Sequence, residues 1–198
     1  MWWIVAPCFA ASTDTSGMAG HFEEAALTLL AVAMNDEDGA RAHAKALIKA
    51  ETAPEQLQNA ARAVMAKIGN PKQSGVALAE LAETCATCHR SGGRGPRPHD
   101  TDVVPGSNPI DRHVMASTFL WIGLITPAEE PWKVGLAAIE PPVDPDASNK
   151  RVDEMAETFS GLVEQARAAK AWDQRADLFG QMIPTCTECH LRTGAALR

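Results

Sequence analysis

The chain carries one five-residue pattern twice, as Cys85-Ala86-Thr87-Cys88-His89 and as Cys186-Thr187-Glu188-Cys189-His190. C-x-x-C-H is the attachment signature of c-type haem. In that chemistry the two thiols hold the porphyrin through thioethers, and the adjacent histidine takes the proximal position on the iron. Cys85, Cys88, Cys186 and Cys189 are therefore the candidate attachment residues, and His89 and His190 the candidate proximal ligands. Two haem c groups in 198 residues are the expectation. Competing uses of the same residues fit less well. Cysteine pairs that share a zinc ion lie roughly 12–20 residues apart, whereas these are separated by about a hundred residues. A redox dithiol calls for a surrounding βαβ pattern, and neither use requires a histidine after the second cysteine.

Composition points to helices. Alanine is abundant, tyrosine is absent, and β-branched residues are sparse outside short stretches. The formal charge is −7, and haem propionates would deepen it. Nucleic acid, which needs a basic patch, is excluded as a partner, and a basic or dipolar redox protein is favoured.

The chain repeats itself. A shift of 92 residues lays His21 on His113 and the apolar run Leu27–Val32 on Phe119–Leu124, while the haem motifs are offset by 101. The nine extra residues of the second copy fit best around Pro141-Pro142-Val143-Asp144-Pro145-Asp146. Each copy reads as four helices, at about 18–34, 39–51, 54–68 and 74–91, then at about 109–125, 128–140, 148–170 and 172–192. Asp38 is the expected cap of the second helix, Pro54 the first residue of the third, and Gly69-Asn70-Pro71 the stop after it. Pro184 should kink the last helix or start a separate turn. The predicted architecture is all-α: two tandem four-helix bundles, each with one covalent haem near the end of its last helix. The boundaries are an apolar N-terminal segment 1–17, a first bundle 18–92, a linker 93–107 rich in glycine and proline, and a second bundle 108–198.

Short loops make four helices run up, down, up, down. The first helix of each bundle is then antiparallel to the last, and its start lies beside the haem motif. His21 and His113 occupy that place in both copies and are the candidate distal ligands, giving bis-histidine iron twice. Met115 competes in the second copy, but its counterpart is Glu23. Met18 lacks a counterpart, and His43 and His99 read as structural or exposed. Arg90, Arg112 and Arg192 could each pair with a propionate. Trp121, Trp132 and Trp172 read as core or haem-packing aromatics.

On these residues, and on the position of C-x-x-C-H at the end of a fourth helix, each copy resembles the class II cytochrome c family, the cytochrome c′ and cytochrome c-556 group. The resemblance covers roughly 18–92 and 108–195. It implies a four-helix bundle whose first helix faces the sixth coordination position of the iron. Family members carry an apolar residue or methionine there, where this chain offers His21 and His113. Single-domain members often dimerise, so the tandem copies could imitate such a dimer, and homo-oligomers of the whole chain are a further expectation.

The functional expectation is a dihaem electron carrier, not an enzyme, serving other redox proteins as a soluble shuttle or as a subunit of a larger respiratory or photosynthetic assembly. The alternative is a gas-binding or sensing haem protein with at least one open distal site. Peroxidase catalysis lacks a convincing distal acid–base pair. Attachment of haem to C-x-x-C-H implies export, hence a periplasmic location. Met1–Ser12 resembles the apolar core of a signal peptide, without the charged start. Cys8 as a lipid-anchor site is disfavoured by Pro7, and no stretch reaches the roughly 20 apolar residues of a membrane span.

Overall fold

The computed structural model describes residues 15–51, 53–92, 109–139 and 150–193. Among them the chain is all-helical: α1 Thr15–Ala33, α2 Glu37–Lys49, α3 Glu55–Lys67, α4 Pro71–Ser91, α5 Pro109–Ile125, α6 Glu130–Ala138, α7 Lys150–Ala168 and α8 Trp172–Thr193. The expected N-terminal segment up to residue 14, the linker 93–107, Cys8, His99 and the proline-rich insert at 141–146 lie outside the described residues. No described helix is long and apolar enough to cross a membrane.

Local chemistry explains the boundaries. Asn35 takes the left-handed conformation, φ 57°, just past α1, a position asparagine tolerates better than most residues. Asp36, rather than Asp38, caps α2, its carboxylate accepting from the Gly39 N–H at 3.0 Å. Pro54 is the residue before α3 and not its first. Gly69, at φ +93°, turns the chain after α3. Asn70 then caps α4 by accepting from the Gln73 N–H at 3.1 Å, with Pro71 at the first helical position, where a missing N–H costs nothing. That signal places the start of α4 three residues ahead of the sequence expectation.

α8 runs unbroken through Pro184. A proline there removes the bond to the Gly180 carbonyl, four residues back. That carbonyl instead faces Gly75 of α4, so closely that a methyl group on Gly75 would collide with it, and one on Gly180 would lie 2.9 Å from the Gly75 oxygen. The two glycines let α4 and α8 pack against each other along their lengths. The pair is antiparallel, because Gly75 near the start of α4 meets Pro184 of α8, while Arg90 at the end of α4 stacks on Trp172 at the start of α8. α5 and α6 approach similarly, with Gly123 against Trp132 and Gly135 against Leu120.

The halves are thereby joined. One hydrophobic cluster includes Leu29, Leu78 and Leu81 from the first half and Leu120, Trp121, Phe179 and Met182 from the second. The Trp121 and Phe179 rings lie 6.2 Å apart, tilted by 44°. First helices pack across the repeat as well as within it: α1 lies against α8, and α5 against α4. Two bundles each closed on itself would not show these contacts. The eight helices share one core.

Candidate haem sites

The attachment motifs occupy the last turns of α4 and α8 and so sit at opposite ends of the antiparallel pair. Arg90, next to His89, touches Trp172, and His190 lies eighteen residues further along α8, about 27 Å at a helical rise of 1.5 Å per residue. The four cysteines therefore cannot gather around one zinc ion. Among the described residues no cluster of three or more His, Cys, Asp or Glu could hold a metal ion unaided.

The second site is assembled around a cavity of about 680 Å³, counting the space open at its mouth. α8 supplies Thr185, Cys186, Cys189 and His190; α5 supplies His113, Val114 and Ser117; α7 supplies Met155, Ala156 and Phe159; α1 supplies Leu30 and Ala33, and Met34 follows just past its end. The wall is mainly apolar with a few donors, as a porphyrin face requires. His113 thus shares a cavity with both attachment cysteines and the candidate proximal histidine of its own half. Met115 is not on that wall. Met34 and Met155 are, and the sequence reading passed over both. Met34 in particular reaches the site from the other half of the chain, which no comparison of repeat positions could reveal.

The end of α1 orients the second motif. The last carbonyls of a helix lack partners within it. Here the Val32 oxygen accepts from Thr187 Oγ1 at 3.0 Å, and the Ala33 oxygen accepts from His190 Nδ1 at 2.9 Å. A carbonyl can only accept, so Nδ1 carries the proton, and in the neutral ring Nε2 is then the nitrogen with the lone pair. That is the tautomer an iron ligand needs, and outer hydrogen bonds of this kind set the orientation of metal-bound histidines. The Ile183 oxygen also lies 3.0 Å from Thr187 Oγ1, so the single O–H of this almost fully buried residue is shared between the two carbonyls.

The first site is built from different residues. Cys85 packs against the core, and Cys88 and His89 are half-buried. Buried Ala86 stands where the second motif has Thr187. Arg90 Nη2 donates to the Leu124 oxygen at 3.3 Å, and Leu124 is the residue that the repeat shift pairs with Val32. Each motif helix therefore caps the first helix of the opposite half, through different side chains. His21 lies in the second turn of α1, half-buried, and its burial lowers its pKa. At neutral pH this favours the neutral ring, the form that offers a lone pair to a metal.

Burial pushes the thiols of Cys85 and Cys186 up to about 12, each raised further by its neighbour Cys88 or Cys189. Reactive dithiols depend on the reverse, a lowered thiol pKa, so the environment opposes the dithiol reading. Of the remaining candidates, His43 Nδ1 lies 2.9 Å from Glu24 Oε2 in a half-buried pair. Arg192 pairs with Glu188 at 2.7 Å, and Arg112 is half-buried on α5. Trp121 and Trp132 are fully buried in the core. Comparison with protein families, curated proteins and solved structures finds no match to this chain.

Proposed function

We propose that the chain is a dihaem c-type cytochrome, similar in plan to the class II family, that transfers electrons between redox proteins outside the cytoplasm. The observation that carries this reading is the cavity at the end of α8, where Cys186, Cys189, His190 and His113 line one apolar space. The residues suit a covalent haem: two thiols a helical turn apart, an imidazole held in the ligand tautomer by the Ala33 carbonyl, and a second imidazole on the cavity wall. By the repeat, Cys85, Cys88, His89 and His21 take the same roles in the first site. Bound haem iron would supply a one-electron couple. The chain's own contribution is to hold the imidazoles in place, to exclude water with apolar walls, and to keep the two sites at a fixed separation along α4 and α8. Filling the sixth position with a protein imidazole leaves no coordination site for a substrate, which suits electron transfer better than gas binding or catalysis.

Two measurements on the full chain test the proposal. The intact mass should exceed that of the polypeptide by two haems, with the haem colour retained on a denaturing gel. The optical spectrum should be low-spin in both oxidation states and respond slowly, if at all, to carbon monoxide. Rapid carbon monoxide binding at both haems would overturn the electron-carrier reading and favour a gas-binding protein. A polypeptide without covalent haem would overturn both.

A further inference from the structure

Arg175 is only 4 % exposed, yet it carries a charge. Its Nε donates to the Ala169 oxygen at 3.2 Å, and its Nη2 lies 3.4 Å from Glu129 Oε1, on a side chain that is itself largely exposed. Its guanidinium carbon sits 4.7 Å from the centre of the Trp172 ring. Arg90, the residue after His89, places its own guanidinium carbon 4.5 Å from the centre of the same ring. Two cations thus share one indole. Among the described residues Glu129 is the one carboxylate within salt-bridge distance of either, and Glu83 acts on Arg90 from further away. Arg90 Nε and Arg175 Nη1 are buried, and neither donates to any acceptor among the described residues. Buried donors on charged groups are costly to leave unpaired, and two of them beside one ring point to an anion beyond those that the described residues supply. Planar N–H forks favour carboxylates and phosphates.

We propose that Arg90 and Arg175, stacked on Trp172, form a cradle for the propionate carboxylates of the haem tethered at Cys85, Cys88 and His89. This rests on the two-haem reading. It makes the first site depend on the second half of the chain, as the second site depends on the Ala33 carbonyl of the first half. The cradle belongs to one site only: the residue after His190 is Leu191, which is exposed. The second haem is therefore an internal control.

The test uses the full holoprotein with Arg90→Met, Arg175→Met and Arg175→Lys, reading haem stoichiometry by mass and both midpoint potentials by redox titration. A cation beside a haem favours the reduced, more negative state. Each methionine variant should therefore keep both haems and lower one potential while leaving the other in place. Arg175→Lys, which keeps the charge, should recover most of the shift. Should Arg175→Met fail to fold, Arg90→Met and Arg175→Lys carry the comparison alone. Both potentials unchanged, or both displaced equally, would overturn the cradle and leave a purely structural role. A wild-type potential that responds to added inorganic phosphate, with the response lost in Arg90→Met, would also overturn it by showing a site for free anions. A wild-type mass with one haem or none would instead sink the two-haem reading beneath it.

Discussion

His113 and His190 line one cavity, and the consequences of that pairing can be tested one side chain at a time. Replacing His113 by Ala removes the imidazole from the α5 wall and leaves Cys186, Cys189 and the His190–Ala33 bond intact. The variant should bind carbon monoxide at one haem of two, so the spectral change on adding the gas should reach about half that of a protein with both sites open, by the ligand-occupancy logic of an axial position. Met34 and Met155 lie on the same wall, and a thioether taking the vacated position would raise the potential instead of opening the site. A His113→Ala, Met155→Leu double variant separates these results. Equal carbon monoxide uptake by wild type and His113→Ala would show that His113 is not a ligand. This residue was legible in the sequence because His21 and His113 coincide under one shift. Met34 and Met155 were not, because a methionine in a helix looks the same whether it fills a core or faces a cofactor.

At the scale of elements, eight helices were readable from apolar spacing and punctuation, and the expected bounds of α5 match the structure. The misplaced starts of α2 and α4 have one cause: several residues near each start can cap, and only the backbone shows which one accepts the N–H. Pro184 shows a different limit. Its cost to α8 is local, but the freed Gly180 carbonyl is covered by Gly75 from another helix, a contact separated by more than a hundred residues. That crossing is testable. Gly75→Ala forces a methyl group into the Gly180 carbonyl, and overpacking of this kind costs about 1–3 kcal/mol. In a chain of this size the melting temperature of the holoprotein should fall by about 5 °C, read by circular dichroism at 222 nm. Gly161→Ala, where an added methyl group meets open space, is the control and should be neutral or slightly stabilising. Equal effects from the two would contradict a close approach at Gly75.

For the whole molecule, the repeat predicted two bundles in which each first helix serves the motif of its own copy. Similar apolar faces fit a partner in their own half or in the other, so periodicity alone leaves contacts across the repeat open. The structure decides it through single bonds: Thr187 and His190 reach back across the repeat to Val32 and Ala33, and Arg90 reaches forward to Leu124. If the chain binds two haems as proposed, a shared core implies that the second would stabilise part of the first half. In a Cys186→Ala, Cys189→Ala variant that retains the first haem, the end of α1 loses the anchored motif that caps it. Amide hydrogens near that end, including those of Met34, Asn35 and Asp36, which bond to Leu30, Val32 and Ala31, should exchange faster than in wild type by about tenfold or more, a loss of roughly 1.4 kcal/mol in local opening energy. The amides of α3 (Glu55–Lys67), packed on α2 and α4, should change far less. Faster exchange confined to α5–α8, with α1 as protected as before, would show two independent bundles and would refute the cross-repeat cap.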